Sequence, residues 1–307
     1  MKISPVFYKN VPAVELSTGK YSVTVLPGEG GKITSFRTLS DGREYLWQNP
    51  SPVYSHIGLS DSFVDGECSA FDDMFPTIDP IICDGGVRAG KLYPDHGEIC
   101  RVPFSCEAGE NGVTLTAESA SLDYEYVKTL GATSGGDLKI GYRIKNRSDG
   151  DFDALWAGHC MLRAENGGRV IAPFPGGSPV DIMFDNTGEI GKAGERTAVR
   201  PEMLESRTKT PSPDSYKYYF AEKAQRGYLG YRYPDGRIFS FRYDPEKIPY
   251  VGVWMNDGFF HGHSCVGLEP CNPGYDTVIN AREKGQKNII PAGGIMEFEI
   301  TISVEEE

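Results

Sequence analysis

Residues 138–145 read LKIGYRIK, and residues 296–305 read MEFEITISVE. In the first, Leu138, Ile140, Tyr142 and Ile144 fall on one side, and Lys139, Arg143 and Lys145 fall on the other. In the second, Met296, Phe298, Ile300, Ile302 and Val304 alternate with Glu297, Glu299, Thr301, Ser303 and Glu305. A period of two over this length is the signature of a half-buried β-strand. Weaker alternation over 21–26, 113–117, 124–130, 228–233 and 238–243 predicts further strands. Turn pairs punctuate them at Asp41-Gly42, Asn111-Gly112, Gly135-Gly136, Asn166-Gly167 and Asp235-Gly236. Few windows carry a helical period. The reading is an all-β chain folded as a large β-sandwich of mainly antiparallel strands.

The chain has 307 residues, with 37 glycines and 21 prolines, which suits many short strands joined by turns. No low-complexity linker or fixed-period repeat divides it, so one domain over 1–307 is expected. The stretch 176–215 is polar and without period, and reads as a long, mobile surface excursion. Net charge is −12, which disfavours nucleic acid and an anionic membrane surface as partners. The N-terminus, MKISPVFYKNVPAVEL, has no apolar run of signal-peptide length, so the expected location is the cytoplasm. Seven cysteines without a C-x-x-C pair read as reduced and mostly buried.

Chemistry concentrates in 250–276, YVGVWMNDGFFHGHSCVGLEPCNPGYD. Val266, Gly267 and Leu268 read as the end of a buried strand, stopped by Pro270, Pro273 and Gly274. Glu269 then stands at a stiff strand end, with the fixed direction a general base needs. The ordinary structural reading is a glutamate paired to an arginine. In WAGHCML (156–162), His159 lies in an apolar run, as a satisfied core histidine does. Trp156 and Trp254 lie in comparable runs, and aromatic walls suit the apolar faces of sugars. FDDMFPTI (71–78) sets Asp72 and Asp73 between aromatics, where they grip hydroxyls or face solvent in a turn. DHGEICR (95–101) places His96 beside Asp95 and before a glycine.

Taken in order, GGKITSF…GREYLW, FDDMFPTI, DHGEICR, WAGHCML, GLEP…GYD and the Pro291–Gly294 turn before the last strand resemble the aldose 1-epimerase (galactose mutarotase) family. The resemblance covers nearly the whole chain. It implies the galactose mutarotase-like supersandwich, a monosaccharide in an open cleft, no cofactor and no metal. It implies His159 as general acid, Glu269 as general base and His96 as a second sugar-contacting histidine. The pattern also departs from the family. Where many members carry an asparagine-arginine pair, this chain has Asp72 and Asp73, which then hold hydroxyls in place of the arginine. Where members carry an aspartate before a second-half strand, this chain offers Asp214, or Lys217 replacing it. Arg101, near His96 together with Arg88 and Lys91, is a further substrate-binding candidate.

Two other classes compete. His261-Gly-His263 followed by Glu269 imitates the metal set of cupin barrels, with five residues between His263 and Glu269, one more than that pattern usually allows. A non-catalytic sugar sensor on the same sandwich is the other.

Overall fold

The alternating stretches form strands. Leu138–Asn146 and Ile295–Glu305 are antiparallel neighbours, with Tyr142 opposite Phe298 and Ile144 opposite Met296. The computed structural model describes residues 1–206 and 213–306. An eleven-stranded sheet carries, in spatial order, Lys2–Tyr8, Val11–Ser17, Tyr21–Leu26, Lys32–Thr38, Phe71–Met74, Trp156–Arg163, Ser264–Asn272, Tyr250–Asp257, Asp214–Phe220, Pro179–Asp185 and Arg196–Ala198. An eight-stranded sheet carries Arg169–Ile171, Tyr228–Arg232, Ile238–Tyr243, Ile295–Glu305, Leu138–Asn146, Tyr124–Ala132, Gly112–Glu118 and Ser105–Gly109. Among the described residues the α-helical segment is Val278–Glu283, capped by the Thr277 hydroxyl, which accepts from the Asn280 N–H.

The two sheets meet through rings. Trp156 packs 4.5 Å from Phe298 and 5.0 Å from Tyr142, and Phe71 lies 5.8 Å from Phe241, centroid to centroid. These side chains are buried, and each large apolar group so buried stabilises the fold by roughly 1.5–3 kcal/mol. The opposite face of the large sheet is left to loops, and there the cleft forms.

Two expectations change. The stretch 176–215, expected to be a surface excursion, contributes strands towards one end of the large sheet: Pro179–Asp185, Arg196–Ala198 and the start of Asp214–Phe220. Residues 207–212 lie outside the described residues. The period was hidden because register shifts between Ile182 and Phe184, so alternation breaks at Met183. Second, Glu269 lies inside a strand, since Ser264–Asn272 runs on through Pro270. Pairing with Trp156–Arg163 is made at Cys160↔Leu268 and Ala157↔Cys271 and interrupted between them, where Pro270 has no N–H to give.

Candidate active site

That same register sets His159 opposite Glu269. On the neighbouring strands, Asp72 lies opposite His159, and Gly252 lies between Glu269 and Tyr219. Side chains in one cross-strand row share a face, so the pairing pattern itself delivers a polar row into the cleft. Gly252 is what lets the row close. A Cβ there would meet Tyr219 Cε1 at 2.6 Å and Glu269 Oε2 at 3.1 Å.

Glu269 is fully buried. Its Oε2 is 2.9 Å from Lys217 Nζ and 3.1 Å from the Tyr219 hydroxyl. Lys217 Nζ also reaches Asp276 Oδ1 at 2.7 Å, and the Tyr219 hydroxyl is 2.9 Å from that oxygen. The hydroxyl has one proton, so it donates to one carboxylate at a time. Lys217 loses hydration on burial, yet Asp276 and Glu269 outweigh that loss and hold its ammonium above the ordinary lysine range. Glu269 Oε1 is different. It has no hydrogen-bond partner and faces His159 Nε2 across 3.8 Å.

His159 is 3% exposed, and its Nδ1 is likewise without a partner. Burial first, and then the nearby His96, Lys217 and Lys32, hold its pKa well below the ordinary value. The ring is therefore neutral near pH 7, where the resemblance implied an imidazolium. The His96 ring stands 5.5 Å from that of His159, stacks on Phe63 at 4.2 Å, and is held by Asp95 Oδ1 at 2.8 Å from Nδ1. Burial opposes ionisation of Asp95, but His96 and the Phe63 N–H bring its pKa down to about 2. His96 turns into the cleft on a left-handed residue, and the following Gly97 passes so close that a Cβ would meet the Phe75 carbonyl oxygen at 2.2 Å.

The resulting cleft encloses about 290 Å³. Trp254, 5.8 Å from the His159 ring, forms one wall, with Phe63, Phe184 and Phe260 around it. Met183 and Phe184, though consecutive, both reach the cleft because the bulge falls at Met183, between Ile182 and Phe184. Asp79 and Asp276 complete the polar lining.

His159, Glu269, His96 and Trp254 thus come together. Other candidates go elsewhere. Trp156 faces the inter-sheet core, its indole N–H donating to the Tyr126 hydroxyl at 2.9 Å. Asp72 and Asp73 are consecutive strand residues and point to opposite faces. Asp73 lies in the core, 2.8 Å from Lys128 Nζ and accepting from the Tyr142 hydroxyl at 2.9 Å. Asp72 is on the cleft side but is buried against Lys32, and burial pushes its pKa up despite that cation. Arg101 is spent on backbone carbonyls, those of Asp95, Gly97 and Asp61, and so fastens the loop that carries His96. Asp214 lines a separate small pocket with Met255 and Cys265, whereas Lys217 lines the cleft. His263 stacks on Trp47 at 4.0 Å, and His261 lies 5.8 Å beyond it, so neither joins Glu269 in the cleft. Among the described residues no three His, Cys, Asp or Glu side chains are grouped to hold a metal. Tyr219 and Phe184 were not legible as site residues because their places depend on strand pairing and on the bulge, and Phe63 and Asp276 because they reach the cleft from segments between strands.

No family model matches the sequence, and no curated protein matches it. Solved structures do. A Klebsiella pneumoniae protein, provisionally named an aldose 1-epimerase, superposes with a TM-score of 0.71 at 16% identity, over 96% of this chain and 80% of that one. A galactose mutarotase related enzyme from Lactobacillus acidophilus gives 0.66 at 15%, over 95% and 97%. A galactose mutarotase-like protein from Clostridium acetobutylicum gives 0.63 at 14%, over 100% and 99%. The chain has the galactose mutarotase-like fold. At these identities the likeness establishes the architecture, and it agrees with the resemblance read from the ordered motifs. Within the galactose mutarotase-like fold, the cleft on the exposed face of the large sheet holds two buried atoms without a hydrogen-bond partner, Glu269 Oε1 and His159 Nδ1. No helix among the described residues is long and apolar enough to cross a membrane.

Proposed function

We propose that the protein interconverts the α and β anomers of a free monosaccharide, as an aldose 1-epimerase. The observation that carries this reading is the pair of unpartnered, buried atoms Glu269 Oε1 and His159 Nδ1, on side chains that face each other across 3.8 Å. A hydroxyl placed about 2.8 Å from both Oε1 and Nε2 would satisfy the carboxylate and meet the imidazole. The volume sits near the small end of ligand pockets, about 300–1,000 Å³, which suits a single sugar ring.

In this reading Glu269 Oε1 takes the proton of the anomeric hydroxyl. The C1–O5 bond opens with its electron pair on the ring oxygen, which gains a proton as O1 has lost one, so the open chain is a neutral hydroxy-aldehyde. The aldehyde rotates about C1–C2, and the ring recloses on the other face. His159 enters as a neutral hydrogen-bonding group, which orients the hemiacetal oxygens. His96 and Trp254 hold the ring, one by its hydroxyls and the other by its apolar face. Removing a positioned acid or base typically costs about 10²–10⁴-fold in rate.

Polarimetry of freshly dissolved glucose, galactose, xylose, arabinose and fucose tests the assignment. Faster decay to the equilibrium rotation on at least one sugar supports it. A spontaneous rate on every sugar, with binding still seen by thermal shift, would favour a sugar sensor on the same fold.

A further inference from the structure

We propose that Lys217 and Asp276 are positioning residues that set the strength of Glu269 as a base. Lys217 holds the base ionised, and Asp276 draws off part of that cation so that Glu269 still takes a proton. The inference rests on the anomer-exchange reading above and concerns the base alone.

Four side-chain atoms carry it. Glu269 Oε2 and Asp276 Oδ1 both lie against Lys217 Nζ, at 2.9 Å and 2.7 Å. Both also lie against the Tyr219 hydroxyl, at 3.1 Å and 2.9 Å. Two carboxylates thus share one ammonium and one hydroxyl proton. Glu269, Asp276 and Tyr219 are buried, and the Lys217 side chain is 12% exposed. Asp276 is fixed through its backbone, since its carbonyl accepts from the Ile78 N–H at 2.9 Å and the Asp79 N–H at 2.8 Å. Its carboxylate is therefore held at the shared cation. Burial works against the Lys217 ammonium, and Asp276 and then Glu269 outweigh it.

Sharing has a chemical consequence. A general base must be ionised before the sugar arrives, and must then bind the anomeric proton. A buried carboxylate closed against an ammonium of its own meets the first demand, but the better that pairing, the weaker the base. One ammonium against two carboxylates leaves the cluster net negative, which raises the proton affinity of each carboxylate above that of an isolated pair. Lys217 answers the first demand and Asp276 the second. The same contacts occupy Oε2 and leave Oε1 without a partner. The titratable groups facing Glu269 are Lys217 and Tyr219 from Asp214–Phe220, His159 from Trp156–Arg163, Asp276 from the turn after its own strand, and Cys271 within that strand. Asp79 lies beyond them and is felt by Asp276 and Lys217.

The pH dependence of kcat/KM for anomer exchange tests this in Lys217→Met, Lys217→Arg and Asp276→Asn, with melting temperature followed alongside. The shifts should have opposite signs. Without the cation Glu269 protonates more readily. The acid limb of Lys217→Met should therefore move up by about one pH unit or more, with activity lost in mild acid and regained as pH rises. Lys217→Arg keeps a cation there and should restore most of that shift. Without the second carboxylate, Glu269 has Lys217 to itself. The acid limb of Asp276→Asn should move down, and its plateau kcat should fall by about threefold or more as the base weakens. Residues needed only for the fold would lower the rate without moving the limb, or would move it the same way in both variants. Either result would overturn the proposal while leaving anomer exchange intact. If Lys217→Met does not fold, Asp276→Asn decides, and an absent or upward shift overturns the proposal. A wild-type protein that accelerates no sugar would overturn the reaction and this role together.

Discussion

His159 Nε2 and Glu269 Oε1 face each other across 3.8 Å, beyond hydrogen-bond reach, on adjacent strands whose register sets the two residues opposite one another. A buried carboxylate oxygen without a partner is costly in a resting protein, by roughly 1–3 kcal/mol or more for a charged group. The gap is stable because Lys217 and Tyr219 hold the other oxygen. Glu269→Gln keeps the shape and removes the base. It should lower kcat by about 10²–10⁴-fold while sugar still binds, as read by polarimetry beside isothermal titration.

The pH dependence follows from the state of His159. Its depressed pKa leaves it neutral through the range where an ordinary histidine titrates. The rate should therefore show no alkaline loss between about pH 6 and 8. A kcat profile measured over that range checks this. A descending limb there that vanishes in His159→Gln would mean that the ring works as an imidazolium.

The Lys128–Asp73 pair makes a contrasting prediction. Both side chains are fully buried between the sheets, 2.8 Å apart. Lys128→Met strands Asp73 as an unpaired buried charge and should destabilise the fold by about 3–5 kcal/mol, measured by urea unfolding. Because the pair faces away from the cleft, KM of the folded variant should match wild type.

Strand formation was legible where one face is wet. Leu138–Asn146 and Ile295–Glu305 alternate because one side meets the core and the other meets water. Pro179–Asp185 was hidden because a bulge interrupts its period. Pro270 looked like a strand stop because sequence cannot show that its missing donor falls where pairing is already interrupted. The site was legible in part, since His159, Glu269, His96 and Trp254 all reach the cleft. Trp156 was not distinguishable from Trp254, because which face a strand residue takes depends on pairing partners. The contact of Tyr219 with Glu269 depends on Gly252, where a Cβ would meet both side chains, and no local pattern marks that glycine.

His263 should make the fold sensitive to mild acid. Burial, and then the neighbouring His261, lower its pKa from 6.5 to about 4. Between those values the unfolded chain binds a proton that the folded chain does not. Its contribution to stability is therefore full above 6.5 and falls as pH drops towards about 4, by at most about 3 kcal/mol. His263→Phe keeps a ring on Trp47, which His263 meets at 4.0 Å, and removes the titration. Urea unfolding at pH 7 and pH 4.5 should show a smaller loss of stability in the variant than in wild type.

Saturation-transfer NMR at the anomeric proton tests the central claim most directly. The α-anomer H1 is irradiated and the β-anomer H1 is observed, with wild-type protein and then with Glu269→Gln at equal concentration. The account predicts transfer with wild type on at least one monosaccharide and none above the uncatalysed level with Glu269→Gln. Equal transfer with both proteins would contradict it.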